Sequence, residues 1–235
     1  MKTVVVLAAG IGSRLSPITD NVPKSMVPVN GTPLLARFLA QVSQSGIECK
    51  VIIVAGYLSE QIIDFVSCID QKINVVINKD YKTTNNMESC RLALESSDYD
   101  DCIIVNADCI YDDEIVAKMM AKRESCIAVD SSQYSEENMK VSLSGANIIE
   151  ISKALPNLKG IHTSIDLYHF IKSDVDKLLE IMQTYNKNSD LQQWTEVAIN
   201  ELVKICNVKP CDFNGLRWME IDNKSDLKHA EQLFK

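Results

Sequence analysis

The eight cysteines include no C-x-x-C pair, no apolar run is long enough to span a bilayer, positive charge is not in excess, and aromatics make up only 6% of 235 residues. Each absence narrows the choice. Cysteines at irregular spacings read as reduced thiols packed as small apolar side chains in a cytoplasm, not as a disulfide frame. Without a membrane-length segment the chain is not expected to enter a bilayer. A formal net charge of -8 argues against a nucleic-acid partner, which would need a broad basic surface. No linker, repeat or low-complexity tract divides the sequence, so residues 1–235 read as one α/β domain with room for a substantial core. Two phosphate-binding fingerprints are also missing: no Lys follows Gly12, which rules out a Walker A loop, and Leu15 breaks G-x-G-x-x-G. Lys2 with VVVLAAGIG imitates a signal peptide, but cleavage there would remove the first strand and half of the glycine turn behind it.

What is present is concentrated in the first thirty-five residues. Val4 to Leu7 form a β-branched apolar run too short for an independent helix, hence a buried strand. Gly10, Gly12 and Ser13 follow, residues that turn the backbone tightly and aim N–H groups at a phosphate. Arg14 and Lys24 then supply two fixed cations, a combination suited to a polyanion such as a nucleoside triphosphate.

Further along, Leu34, Leu35, Phe38, Leu39 and Val42 predict a helix ended by Gly46, Val51–Ala55 a strand, Ile62, Ile63, Val66 and Ile69 a helix, and Ile73–Ile77 a strand. This alternation is that of a parallel sheet covered on both faces. Residues 78–90 are polar and read as a binding loop. Strand Cys102–Asn106 delivers Asp108 at its carboxyl end, where ligands of open sheets gather. Helix Ile115–Met120 and strand Cys126–Asp130 come next, then shorter strands at 139–143, 147–151 and 164–170 that suggest antiparallel additions. Ser173 with Asp176 predicts a capping box, Trp194 to Leu202 a helix, Trp218–Ile221 a strand ending at Asp222, and Ser225–Phe234 a final helix.

The run L-A-A-G-x-G-x-R-L, then P-K at Pro23 and Lys24, then G-x-P-L at Gly31 to Leu34, resembles the nucleotidyltransferase superfamily. Its members join a phosphorylated acceptor to a nucleoside triphosphate and release pyrophosphate. The resemblance implies a single-domain, Rossmann-like (GT-A-like) α/β fold: a mixed, mostly parallel central sheet flanked by helices, with a smaller antiparallel addition on the acceptor side. The whole layout is most similar to bacterial phosphocholine cytidylyltransferases, through G-Y-L-x-E-Q at Gly56–Gln61, N-N-M at Asn85–Met87, S-I-D-L-Y at Ser164–Tyr168 and W-M-E-I-D at Trp218–Asp222. CTP is implied by that likeness alone. A homodimer is compatible with it, and the family's products serve capsule, cell-surface or lipid head-group synthesis.

The chemistry constrains the roles. Arg14, with its planar fork, suits the β- and γ-phosphates, and the compact charge of Lys24 suits the α-phosphate and the attacking phosphate. The resemblance places a hard divalent cation, Mg²⁺, on Asp108 and Asp222, carboxylates that would meet only in the fold. Alone, Asp108 also reads as a turn cap and Asp222 as an Asx-turn residue. The base would be read by backbone groups of Leu7, Ala8, Ala9 and Gly10 and by the amides of Asn85 or Asn86. On the acceptor side, Asp166, Glu196 and Glu220 could bind an amine or sugar hydroxyls. Tyr168, Trp194 and Trp218 could wall a cation, though each also reads as core. Glu88 stands where an aromatic is expected after N-N-M. The acceptor stays open among phosphocholine, another phosphate or phosphonate amine, an amino-acid amide phosphate, and a sugar 1-phosphate used with UTP, dTTP or GTP. A nucleotide-sensing homologue without catalysis is the non-enzymatic alternative.

Overall fold

Alternate residues of the first strand serve two different cores. Val4, Val6 and Ala8 pack into one buried cluster with Leu35, Phe38, Ile62 and Ile115. Val5, Leu7 and Ala9 pack into another with Met87, Leu94, Leu178 and Leu202. A strand buried on both faces needs a continuous apolar run, which is why the signal is VVVLAA rather than an alternation. Each fully buried Val, Leu or Ile contributes roughly 1.5–3 kcal/mol.

The computed structural model describes residues 1–69 and 73–235. The first half contains β1 (Lys2–Ala8), β2 (Pro28–Val29), β3 (Thr32–Pro33), α1 (Leu34–Gln44), β4 (Cys49–Ala55), α2 (Ser59–Ser67), β5 (Asn74–Ile77), α3 (Asn86–Glu95), β6 (Asp101–Asn106), β7 (Cys109–Tyr111) and α4 (Asp113–Met120). The second half contains β8 (Cys126–Asp130), β9 (Lys140–Ser144), β10 (Asn147–Ser152), β11 (Ile161–Phe170), α5 (Lys172–Lys187), α6 (Thr195–Ile205), β12 (Lys209–Asp212), β13 (Trp218–Glu220) and α7 (Lys224–Leu233).

The main sheet runs β10-β9-β11-β6-β1-β4-β5, with β8 and β12 branching from β11. The strands β6, β1, β4 and β5 are mutually parallel, and β11 joins them antiparallel. This is the expected mixed α/β architecture. Helices α1, α2 and α4 supply the apolar residues of one face, and α3, α5 and α6 those of the other.

Several local expectations differ. Ile69 lies beyond α2 and is half exposed. The capping box expected at Ser173 and Asp176 does not form, because α5 starts earlier, with Ile171 as N-cap. The acidic residue at the fitting position is Asp174, which accepts from Ser125 Oγ at 2.6 Å, while Asp176 accepts from the Tyr99 hydroxyl at 2.9 Å. Strands β7 and β12 were not expected: one is three residues long, and the other contains Pro210, tolerated because β12 pairs only with β8 and forms an edge. All eight cysteines are free, and five are buried. Among the described residues, no helix is long and apolar enough to cross a membrane.

Candidate active site

The turn after β1 and the lysine beyond it are shaped by each other. Gly12 has φ +67, and a Cβ there would lie 2.8 Å from Lys24 Cβ and 3.0 Å from its Cγ. Only glycine satisfies both the left-handed backbone and the packed lysine stem. Thr19 Oγ1 donates to the Gly12 carbonyl at 2.8 Å, and Arg14 projects from the short turn Ser13–Leu15 with most of its side chain exposed. Gly10 differs from expectation: open space surrounds its Cβ direction and its φ is not left-handed, so the requirement for glycine falls on Gly12. The G-Y-L-x-E-Q stretch is the brace for this loop. Tyr57 N donates to the Ala9 carbonyl (3.1 Å), Tyr57 Oη to the Asp20 carbonyl (3.0 Å) and Gln61 Nε2 to the Asn21 carbonyl (2.9 Å).

Three carboxylates face this loop. Asp108 follows β6, Glu220 ends β13, and Asp222 precedes α7; β13 pairs antiparallel with β7 and brings them together. Asp222 is not the turn residue of D-N-K-S. Asn223 and Asp226 form the capping box instead, and Asp226 Oδ2 accepts from the Asp222 amide at 2.9 Å, leaving the Asp222 carboxylate to the cleft. Lys24 Nζ lies 2.6 Å from Asp108 Oδ2 and 2.7 Å from Asp222 Oδ1, and Arg14 Nη2 lies 2.8 Å from Asp222 Oδ2. Burial works against the Lys24 ammonium, but Asp108 and Asp222 more than offset it and hold its pKa well above the ordinary lysine value. Burial likewise penalises the Asp222 carboxylate, and Lys24 and Arg14 reverse the balance, so its pKa is lowered. Glu220 forms no ion pair among the described residues: burial, then Asp166, Asp108 and Asp222, outweigh the Lys24 charge and push it up to about 9. One oxygen from each of Asp108, Glu220 and Asp222 lies within 4.8 Å of the others. Three hard oxygen donors, one of them raised in pKa chiefly by burial, fit a divalent cation.

Across the cleft, β11 breaks register between Ser164 and Tyr168, and Asp166 adopts φ +56. Such a bulge turns a side chain out of the sheet. The Tyr111 hydroxyl donates to the Ile165 carbonyl (2.9 Å) and lies 3.4 Å from that of Asp166, satisfying groups that the bulge releases. Asp166 and Glu196 are both buried at the cleft wall, with the Tyr168 hydroxyl 3.1 Å from Asp166 Oδ1 and 2.9 Å from Glu196 Oε1. One phenolic proton serves two acids. Burial, then Glu196 and Asp108, push Asp166 up to about 7, and burial raises Glu196 as well. Tyr168 is therefore not an exposed cation wall: its ring is in the core and its hydroxyl couples the two acids. Trp218 is also core, its indole donating to Asp130 Oδ2 at 2.8 Å. Trp194 does reach the cleft rim, with Lys153 Nζ 5.0 Å from its ring centre.

Residues 4–174 match the family described as the MobA-like NTP transferase domain. The chain belongs to that family. A choline-phosphate cytidylyltransferase from Haemophilus influenzae is 26% identical over 235 residues, covering 97% of this chain and 95% of that protein. A bifunctional protein GlmU from Methanococcus aeolicus is 28% identical over 227 residues, or 96% of this chain, which spans about half (53%) of that longer relative. The solved CTP:phosphocholine cytidylyltransferase from Streptococcus pneumoniae shares the fold with a TM-score of 0.84 over the full length of both chains, at 22% identity.

In this nucleotidyltransferase a cleft of about 330 Å³ brings together Arg14, Lys24, Asp108, Asp222 and the backbone of Leu7 to Gly10. Glu220, expected with the acceptor, stands between the two groups and belongs geometrically with Asp108 and Asp222. Ser13 is exposed at the turn and is not part of the cleft wall. The 78–90 loop does line the cleft, but the amides of Asn85 and Asn86 are engaged elsewhere. Asn85 caps α3 through its Oδ1 and donates to the Gln192 carbonyl (3.3 Å), whereas Asn86 accepts from Thr195 N (2.8 Å) and donates to Asn106 (3.3 Å). These bonds hold both side chains in the cleft wall. Glu88 is paired with Arg91 at 2.6 Å and with Asn186 at 3.1 Å and does not line the cleft. Sequence reasoning missed Tyr81, Ser89, Asn106 and Lys153 at the wall, and Ser25, whose Oγ is buried without a partner beside Lys24. The polar loop signalled Tyr81 and Ser89 as a stretch; nothing in the sequence singled out Lys153.

Proposed function

We propose that this chain is a CTP-dependent cytidylyltransferase acting on a small phosphate or phosphonate that carries a positively charged amine. The observation that carries this reading is the pairing of two sites in one cleft: cations and three carboxylates around Lys24, and the buried acids Asp166 and Glu196 opposite. The first suits two phosphates. The second lacks a hydrogen-bonded cation among the described residues, which suits an ammonium. The cytidylyl group is supported by the Haemophilus relative's activity and by the overall resemblance.

In the reaction an oxygen of the acceptor phosphate attacks the α-phosphorus of CTP, and the bond from that phosphorus to the bridging oxygen breaks, releasing pyrophosphate. Lys24 neutralises the α-phosphate and the incoming oxygen, while Arg14 binds the leaving phosphates bidentately. The nucleophile is already ionised, so no general base is needed. Asp108, Glu220 and Asp222 would hold the divalent cation, assigned as Mg²⁺, whose chemistry is charge neutralisation of the triphosphate. Asp166 and Glu196 anchor the amine and so aim the acceptor phosphate toward Lys24. Triphosphate as substrate and eight free thiols favour the cytoplasm as the place of action.

The test is a matrix of CTP, UTP, dTTP and GTP against phosphocholine, 2-aminoethylphosphonate and glucose 1-phosphate, reading pyrophosphate release with and without Mg²⁺. CTP with an amine-bearing acceptor should dominate. Dominance of a sugar phosphate would overturn the acceptor assignment, and silence in every cell would leave a nucleotide-sensing homologue.

A further inference from the structure

The cations assigned to the substrate phosphates are ion-paired with the carboxylates assigned to the metal. Both oxygens of Asp222 are engaged, Oδ1 by Lys24 at 2.7 Å and Oδ2 by Arg14 at 2.8 Å, and Asp108 Oδ2 is engaged by Lys24 at 2.6 Å. Among the described residues Glu220 forms no salt bridge; it accepts from the Asn138 amide at 3.2 Å and hydrogen-bonds to Asp222. A divalent ion entering among these carboxylates would meet the Lys24 ammonium at close range, where like charges in a partly buried site repel strongly. We infer that Lys24 and Arg14 are internal counterions that occupy Asp108 and Asp222 until a triphosphate draws them away, so that tight metal binding requires nucleotide.

The construction suits such an exchange. The lysine stem is packed against Gly12 as far as Cδ, so the exchange needs to move only the end of the side chain. Arg14 is 66% exposed and loses little by changing partners. A triphosphate offers both cations better-matched oxygens, and each departure restores lone pairs and negative charge to the carboxylates. Linkage makes the effect reciprocal: whatever factor nucleotide adds to metal affinity, metal adds to nucleotide affinity. Joint binding is thereby favoured over binding of either ligand alone. The inference rests on the metal and phosphate assignments above, yet its test needs no turnover.

Mn²⁺ alone is titrated into the full-length protein without nucleotide or acceptor, and free Mn²⁺ is read by electron paramagnetic resonance. Wild type should bind weakly. Lys24→Met should bind at least tenfold more tightly, Arg14→Met more tightly by a smaller factor, and Lys24→Arg, which keeps the charge, close to wild type. Lys153→Met removes a charge from the same cleft without touching the three carboxylates and should change affinity less than twofold. Arg14 is mostly exposed, so its variant keeps the test informative should Lys24→Met fail to fold. Unchanged affinity in Arg14→Met, and in Lys24→Met where it folds, would overturn the inference, as would equal tightening by Lys153→Met, which would mean a diffuse charge effect. Turnover that survives either result leaves the cytidylyltransferase reading standing, so the two fail separately.

Discussion

The Ile221 amide donates to the Asp108 carbonyl at 2.9 Å. That bond extends the short β13–β7 ladder by one step and sets Asp222 beside Asp108, although the two come from opposite halves of the chain. Lys24, from a third region, then bridges them. Asp108→Asn and Asp222→Asn are each expected to lower kcat by about 10²–10³-fold, the scale seen when one pre-organised charge is lost. Steady-state kinetics at saturating metal would measure it, and a loss below threefold would contradict the assignment.

Glu220→Gln should separate stability from function. Burial and neighbouring acids keep this carboxyl protonated up to a pKa of about 9. A raised carboxyl pKa gives stability that is lost as pH rises from the unfolded value near 4.3 through about 9. The always-neutral glutamine avoids that loss, so the variant should melt higher than wild type at pH 8, by more than at pH 5, while binding metal less well. Calorimetry at the two pH values checks the sign.

Gly12→Ala should cost more in rate than in stability. The left-handed backbone costs a residue with Cβ about 1–2 kcal/mol, or roughly 2–8 °C in melting temperature for a domain of this size. The same Cβ pushes on the Lys24 stem, and a displacement of about 1 Å can cost around a hundredfold in rate. Thermal melting and kcat/KM on one preparation would compare the two.

Acceptor affinity should depend on pH through Asp166. Its pKa is pushed up to about 7 by burial and by Glu196 and Asp108, so the free cleft gains negative charge as pH rises through 7. KM for an amine-bearing acceptor is expected to fall between pH 6 and 8 while KM for CTP holds steady, and Asp166→Asn should flatten the profile. Tyr111→Phe, which frees the carbonyls at the bulge, should raise the acceptor KM alone.

A buried pair at the opposite end of β1 predicts acid sensitivity. His169 Nε2 accepts from Lys2 Nζ at 2.5 Å, and Nδ1–H donates to the Glu124 carbonyl at 2.8 Å. Burial, then the Lys2 charge, lower the imidazole pKa to about 4. The unfolded chain takes up this proton near 6.5 and the folded one only near 4, so stability falls as pH drops between them, by on the order of 3 kcal/mol. His169→Gln should weaken this acid limb in denaturant titrations at pH 7 and pH 5.

Local sequence determined the repeating apolar strands, the helices between them, the glycine turn and the basic residues after it. These depend on neighbours within a few positions, where β-branched runs and helical periods act directly. The identity of Asp108 and Asp222 as a pair was legible only through resemblance, since each alone reads as a turn residue. Tertiary structure decided the rest. It set Glu220 beside Asp108 and Asp222, tied Asn85 and Asn86 into the cleft wall and Glu88 to Arg91, and buried the Tyr168 ring while leaving its hydroxyl between two acids. The physical reason is that a side chain's charge state and free hydrogen-bonding groups depend on which distant strands close around it, and strand pairing across a bulge or an edge leaves no periodic mark in the chain.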